Sequence, residues 1–508
     1  MFQTNNTTSE FDPSEAAEAV KESEAKREKS KKWKMEHPEE YRKWKEEHAQ
    51  AQNNGGMGVY PPRNWPEMSS EELKNVLGIT IKEDDANKLI TFLSGLLTYT
   101  SEDQLNLMFN APSSSGKSFI STEIVSLFPQ VDVIKVGYAS PTAFWYQNSV
   151  YDEERDLKIV DLGRKIILFQ DMPHFDLLKN LRALLSHDDK EIEIRVTNRS
   201  KKGENRADHI VIKGYPTVLF ASASFRLDEQ EMTRFIMLSP ETNQTKTLAA
   251  VEESAIKVSD PKKYLKLLNS NSQRSDLIYR IADVKNSNIE EVVIPDHNQL
   301  LKMFRERYSS ARVRHARDIK HVAALAKGFT LLNLWTRKQT NGMIMAEEID
   351  LQNAFALWDE IFLPQELGIP PFVFNLYREV IYPAYKEKGV GLERMDIQRK
   401  YVQVYHNQLP DWKLRKEYQP MLLASGVLYE EQDLLDKRKT LVYPVLDPEK
   451  NVHPHPHSPI SPKLKSKEVG LCVVCGGNKQ WRRSDGEVIC ARCHPPVNGE
   501  EVFVAKVV

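Results

Sequence analysis

The spacing of apolar and polar residues changes several times along this chain, and each change marks a new kind of element. Up to residue 58 there is no apolar period: the charge-mixed stretch KREKSKKWKMEHPEEYRKWKEEH runs into the Gly-rich AQNNGGMG. A charged, disordered arm over 1–58 containing one solvated helix is expected. Between Ser69 and Thr100 the period becomes helical, opened by the capping-box spacing of Ser69 and Glu72 and continued by Leu89, Phe92, Leu93 and Leu96. Apolar runs bounded by turn residues follow, LNLMFN, VDVIKV, KIILFQD and PTVLFASAS, interleaved with the helix-like SFISTEIVSLF and SPTAFWYQN. Strands alternating with helices predict an α/β core with a parallel sheet and crossover helices.

Two hairpins are also expected in this part. LKIVD and KIILFQD read as one, joined at 162–164. EIEIRV alternates with period two, placing Ile192, Ile194 and Val196 on one face, and the turn-rich NRSKKGEN leads to the returning strand IVIKG. Residues 250–365 read as largely helical. A smaller unit spans 370–446: two helices, a third capped by Asp411 with Trp412, Leu414 and Tyr418 turned inward, then two strands around a charged turn. That order looks like a winged helix. The Pro- and His-rich 447–469 is an extended linker, and its alternating histidines read as linker rather than metal ligands.

Composition narrows the class without naming partners. The 508 residues suffice for several domains, 40% are hydrophobic, and the formal net charge of −2 says nothing about what is bound. The N-terminus lacks an export-signal pattern and no run approaches the roughly 18 apolar residues of a membrane span, so a cytoplasmic protein with no membrane partner is expected. All four cysteines fall in the last forty or so positions, as Cys472-x-x-Cys475 and Cys490-x-x-Cys493. Two such pairs can surround Zn²⁺ with four thiolates, and 470–497 resembles a zinc ribbon. Trp481, Arg482 and Arg483 lie between the pairs, as a nucleic-acid patch or as the core of a very small domain.

The chemistry is concentrated in Ala111, Pro112, Ser113, Ser114, Ser115, Gly116, Lys117 and Ser118. A triphosphate needs inward backbone N–H groups, a helix N-terminus, a lysine for its outer phosphates and a hydroxyl for Mg²⁺, and APSSSGKS between an apolar run and a helix offers these. Ala111 stands where a first glycine is usual, which is tolerated if its φ is negative. Asp171 ends an apolar strand, where an acid can hold Mg²⁺ through water, but Gln170 and Met172 flank it in place of a water-polarising glutamate. Ser222 and Ser224 end the next strand and could sense the γ-phosphate. Arg234, after the acidic loop DEQEM, could stabilise transition-state charge at a neighbouring subunit. Arg199, Lys201, Lys202 and Arg206 at the hairpin tip, and Lys413, Arg415 and Lys416 on the third helix of the smaller unit, could grip a phosphate backbone; a solvated hairpin and a protein-binding winged helix are the plainer alternatives.

The order APSSSGKS, LFQDMPHF, hairpin, TVLFASAS, EMTRF resembles AAA+ ATPases with a pre-sensor-1 hairpin, including superfamily 3 and minichromosome maintenance helicases. The resemblance covers roughly 70–365, and the ATPase unit with its lead-in and lid is expected over 66–365. It implies ATP and Mg²⁺ as cofactors beside Zn²⁺, Asp171 in the second acidic motif, Ser222 or Ser224 as sensor 1, Arg234 as the finger and Arg317 of RDIKHVAALAKGF as sensor 2. It further implies a homo-oligomeric ring acting on single-stranded or forked DNA, in replication or its initiation, with a primase or other replication protein as partner. A nucleotide-switched loader that never unwinds, and a zinc-ribbon interaction protein with a degenerate ATPase, are the rival expectations.

Overall fold

The computed structural model describes residues 63–448 apart from 114, 138, 200–204, 223–232, 288, 290, 309–310, 341, 434–435 and 437, and then 479–482, 488–490, 493 and 502–504. The capping box forms as the spacing predicts: Ser69 Oγ accepts the Glu72 N–H at 3.2 Å, the Glu72 carboxylate accepts the Ser69 N–H at 2.8 Å, and the helix Ser70–Leu77 begins there. The next helix, Asp85–Leu97, is buried from Asn87 onward because the sheet and the helix His315–Leu332 enclose it.

The strands between residues 107 and 238 are β1 (Leu107–Asn110), β2 (Val133–Val136), β3 (Val150–Asp152), β4 (Leu157–Asp161), β5 (Ile166–Phe169), β6 (Glu191–Arg199), β7 (Asn205–Lys213), β8 (Thr217–Ser222) and β9 (Ile236–Leu238). Five of them form one sheet in the order β2-β5-β8-β1-β9, every pairing parallel. This is the expected α/β core. Side chains of a strand alternate between faces, and here both faces are dry. Leu107, Phe109, Ile166, Leu168, Leu219 and Ala221 enter one core with the helices Asp85–Leu97, Lys117–Val125 and His315–Leu332. Met108, Ile167, Phe169, Val218 and Phe220 enter a second core with the helices Pro141–Asn148 and Phe175–Leu185. Burying each such side chain contributes roughly 1.5–3 kcal/mol, which is why the strands read as unbroken apolar runs.

The remaining strands form a second sheet, β3-β4-β7-β6. β6 and β7 are the expected hairpin, paired antiparallel from Glu191 opposite Lys213 to Arg199 opposite Asn205, with Ile192, Ile194 and Val196 half-buried against the second core. The other expected hairpin is corrected. β4 pairs with β3 and β7, whereas β5 pairs with β2 and β8, so LKIVD and KIILFQD lie in different sheets. The chain returns from this sheet to the first one twice, after β4 and after β7, and the two returns run side by side. Leu162 N donates to Lys213 O at 2.8 Å and Thr217 N to Lys165 O at 3.0 Å. Gly214, at φ +84°, approaches so closely that a Cβ on it would meet Gly163 N at 2.4 Å.

The segment after β9 is helical, with Gln244–Ser259, Pro261–Ser270, Ser272–Asn286, His297–Arg307, His315–Leu332 and Glu348–Leu367. It also holds a small sheet that the periodicity did not reveal, β10 (Glu291–Val293), β11 (Gln339–Thr340) and β12 (Met343–Met345), whose strands are too short to carry a period.

A third core, Ile369 to Leu446, belongs to three helical stretches at 371–388, Arg394–Tyr405 and 411–424, followed by the antiparallel pair β13 (Leu428–Gln432) and β14 (Thr440–Pro444). Two expectations are corrected here. Asp411 is the first helical residue rather than a cap, its carboxylate accepting from Arg394 Nε at 3.2 Å, and Trp412 is 55% exposed while Leu414 and Tyr418 are buried. The π turn Leu414–Tyr418 widens the helix and shifts its inward face; it and its counterpart Tyr377–Ile381 each end two residues before a proline, Pro420 and Pro383, whose ring displaces the carbonyl four residues earlier. The last strands are β15 (Lys479–Arg482), β16 (Val488–Cys490) and β17 (Val502–Val504), ordered β16-β15-β17. No helix among the described residues is long and apolar enough to cross a membrane.

Candidate functional site

β1 delivers the chain into the loop 111–116, and Gly116 at φ +89° turns it into the helix Lys117–Val125. Only a residue without Cβ takes that conformation at no cost, so the glycine fixes where the helix N-terminus points. Ala111 is buried, has no positive φ and donates its N–H to Ser222 O at 3.4 Å, so the first loop residue prolongs the β1–β8 ladder and needs no glycine. Lys117 folds back over the loop: Nζ donates to Ala111 O at 2.7 Å and Pro112 O at 2.8 Å. Burial lowers its pKa, and the negative charge of Asp171 works in the opposite direction.

Asp171 reaches the same end of the sheet because β5 is separated from β1 only by β8. It lies two residues past Phe169, is exposed, and accepts the Met172 N–H at 2.8 Å. Ser222 lies two residues past Phe220, the residue paired with Phe169, and is itself paired with Asn110. Its buried hydroxyl donates to Met172 Sδ at 3.7 Å. The thioether therefore sits beside Ser222, and the residues flanking Asp171, Gln170 and Met172, carry no second acid. Pro112, Ser113, Ser115 and the exposed Ser118 complete the described loop; Ser114 and Ser224 lie outside the described residues. The fold thus brings together 111–118, Asp171 and Ser222, three adjacent strand ends carrying a lysine, hydroxyls and one acid.

Arg234 and Arg317 are not brought to that end. Arg234 precedes β9, at the edge where the parallel strands begin, and its Nε donates to Ser186 Oγ at 2.6 Å at the C-terminus of the helix Phe175–Leu185. His187, next to Ser186, packs edge-on against Tyr215 with ring centroids 4.6 Å apart. Arg317 is exposed in the first turn of His315–Leu332. The nearby His321 ring is pushed down to about 3, first by burial and then by the charges of Arg314, Arg317, His187 and Lys320. The two arginines therefore belong with the strand-start edge.

Of the residues expected to touch DNA, Arg199 forms the last pair of the β6–β7 ribbon, while Lys201 and Lys202 lie outside the described residues. The ribbon is braced part-way along at Asp208, paired with Val196, whose carboxylate accepts from Tyr146 and Lys158, each at 2.7 Å. Arg415 and Lys416 are exposed, and the Lys413 ammonium lies 5.3 Å from the centre of the Tyr418 ring. Cys490 ends β16 and is buried, and Cys493 is half-buried; Cys472 and Cys475 lie outside the described residues. Among the described residues no cluster of three His, Cys, Asp or Glu side chains is placed to hold a metal.

Sequence reasoning missed the Met172–Ser222 contact, for which strand register is needed. It also missed a cavity of about 580 Å³ beside the loop, lined by Ser115, Gly116 and Phe119 on one side and by the helix Gln244–Ser259 on the other. The fold and site define an α/β protein with a five-stranded parallel sheet whose β1 runs through the loop 111–116 into a helix N-terminus. No family model matches the chain, and no curated protein matches it.

Proposed function

We propose that this chain is an ATP-driven DNA helicase or translocase of the AAA+ type, working as a homo-oligomeric ring in DNA replication or its initiation, that of a mobile element included. The observation that carries the reading is the convergence of the loop 111–118, Asp171 and Ser222 on the neighbouring strands β1, β5 and β8. In that reading Lys117 binds the outer phosphates, Ser118 and Asp171 hold Mg²⁺, and Ser222 senses the γ-phosphate. The β6–β7 ribbon lies in sequence between Asp171 and Ser222, so movement of the acid and sensor strands during turnover would be passed to Arg199, Lys201 and Lys202 at its tip. Arg234 and Arg317, on the opposite edge, fit a role at the next subunit's nucleotide. The helices and strand pair of 370–446 support a winged helix presenting Lys413, Arg415 and Lys416, and the Cys pairs support a zinc ribbon as a second DNA-contact module.

One observation favours a second reading. With Met172 where a water-polarising acid would stand, the chain could bind ATP, assemble on DNA and hydrolyse slowly as a loader. Strand displacement on a forked duplex with ATP and Mg²⁺ separates the two, with Lys117→Ala as the blank. Unwinding lost in that variant supports the motor. ATP and DNA binding without unwinding refutes it and leaves the loader.

A further inference from the structure

A second cavity lies at the other edge of the sheet, where the parallel strands begin, and nothing in the nucleotide reading uses it. Its volume is about 230 Å³, room for an ion or a very small molecule. Gln104, Arg164 and Tyr215 line it, each two or three residues ahead of β1, β5 and β8, so the cavity sits under three adjacent strand starts. Both returns between the sheets form its wall, at 163–164 and 214–215. Lys190, at the root of β6, closes one side, its carbonyl accepting from Gly214 N at 2.9 Å.

The acids and cations around this cavity are matched, with one exception. Glu102 and Lys190 form an ion pair at 2.6 Å, Asp132 holds Lys285 at 2.8 Å and accepts from the Tyr99 hydroxyl at 3.0 Å, and Asp161 holds Lys213 at 3.2 Å. Asp188 and Asp189 bear on Tyr215 less than Glu102 and Lys190 do. Arg164 is half-buried in the cavity wall, and among the described residues no carboxylate pairs with it. Its charge reaches the Tyr99 hydroxyl, where it opposes burial and Asp132, which hold that group's pKa well above its ordinary value. Arg164 also takes the left-handed conformation, φ +56°, which is costly for any residue with a Cβ. A strained turn thus holds an unmatched guanidinium against the cavity.

Gln104 supplies the opposite need. It is 4% exposed, and its amide nitrogen donates to Thr100 O at 2.6 Å and to Leu97 O at 3.4 Å, which fixes the orientation of the carboxamide. Its Oε1 is buried with no hydrogen-bond partner. A buried acceptor left without a donor is destabilising, and a ligand that brings a donor relieves it.

We infer that this cavity is a binding site for inorganic phosphate, separate from the loop 111–118. Arg164, with Lys190 at the rim, meets the negative oxygens, and the P–OH that phosphate keeps at neutral pH donates to Gln104 Oε1. Sulfate has the same shape and a similar charge but no proton to give, so Gln104 selects against it. The lining comes from both returns, from the root of β6 and from the segment ahead of β1. A bound phosphate therefore ties the ribbon sheet to the five-stranded sheet and stabilises the junction between them.

The test titrates phosphate, and sulfate at matched ionic strength, into the full chain at neutral pH, followed by calorimetry and by amide hydrogen exchange. Phosphate is expected to bind and to slow exchange at 162–165 and 213–217, in the unaltered chain and in Lys117→Ala alike. Sulfate should bind roughly tenfold more weakly or less well still. Arg164→Gly suits the left-handed turn and so keeps the fold; in the Lys117→Ala background it should weaken phosphate roughly tenfold or more, and Arg164→Lys should recover part of the loss. Absence of protection at these segments in the unaltered chain overturns the site, and so does protection that survives Arg164→Gly. Protection lost in Lys117→Ala places the phosphate in the loop and overturns the second site. Sulfate binding as tightly as phosphate overturns the role given to Gln104, and with it the assignment to phosphate.

Discussion

Removing the Lys117 ammonium tests the site at its centre. Without an anion, Nζ is satisfied by two neutral carbonyls, Ala111 O at 2.7 Å and Pro112 O at 2.8 Å, in a setting where burial already disfavours its charge. A phosphate offers a charged acceptor in exchange, and a hydrogen bond to a charged group is worth about 1.5–3 kcal/mol net. Two such bonds, less the two carbonyl bonds given up, leave about 3 kcal/mol, which is roughly 150-fold in Kd at 1.4 kcal/mol per tenfold. Lys117→Ala should therefore weaken ATP by about two orders of magnitude in calorimetry at neutral pH. The apo fold loses only two side chain to carbonyl bonds of about 1 kcal/mol each or less, so far-UV circular dichroism should change little. A Kd within threefold of the unaltered chain would refute the assignment of Ala111–Ser118 to phosphate.

Four further outcomes follow from the same structure. Arg234→Ala should abolish ATP turnover with nucleotide affinity retained, and mixing it with Lys117→Ala protein should restore part of the turnover; no recovery in any mixture removes the trans role. Lys201→Ala with Lys202→Ala should lose DNA-stimulated turnover, keep ATP binding and lower the salt dependence of DNA affinity by about two phosphate contacts; an unchanged slope places DNA elsewhere. Gly214→Ala adds left-handed strain to a clash with Gly163 N at 2.4 Å and should cost ~2–4 kcal/mol, read as a lower denaturation midpoint; a neutral effect would mean the two sheets can separate there freely. Burial outweighs Arg314 and pushes the Asp318 carboxyl up to about 6, above an unfolded value of about 3.9. The native state then holds the extra proton, so this stabilisation is complete below about pH 4 and is lost as pH rises through 6; Asp318→Asn should flatten that part of the stability profile, and an unaltered profile counts against the shift.

Legibility in the sequence followed the strength of the local signal. The runs LMFN, IILF and TVLFAS are buried on both faces, and their unbroken apolarity announced a parallel sheet. EIEIRV is buried on one face only, and its alternation announced a ribbon. Pairing partners are a different matter. LKIVD and IILF are adjacent in sequence, similar in composition and separated by a short turn, yet they enter different sheets because Gly163 and Gly214 let two parallel crossings pack backbone against backbone. Nothing in a window of ten residues carries that fact. The exposed Trp412 was misread for a simpler reason: at about 100° per residue it stands roughly 200° round the helix from Leu414, so it cannot share the inward face that Leu414 and Tyr418 form.

The same limit hid the division of the candidate site between two edges of the sheet. In sequence Arg234 follows the loop, the acid and Ser222 as though all would meet. In a parallel sheet, however, a residue just before a strand and a residue just after one lie a full strand apart, here at ~3.3 Å per residue over the four residues of β1. Arg234 is turned further from the loop by its bond to Ser186, and Arg317 bears on His321 at that same edge. An arginine so placed has no path to its own chain's phosphates without dismantling β9. If either arginine acts on the nucleotide, a second copy of the chain must present it, and the strand-end edge of one copy must then face the strand-start edge of the next. That contact joins unlike edges: made in one direction it closes a ring or runs on as a helix, and made reciprocally about a twofold axis it gives a dimer in which each copy completes the other's site.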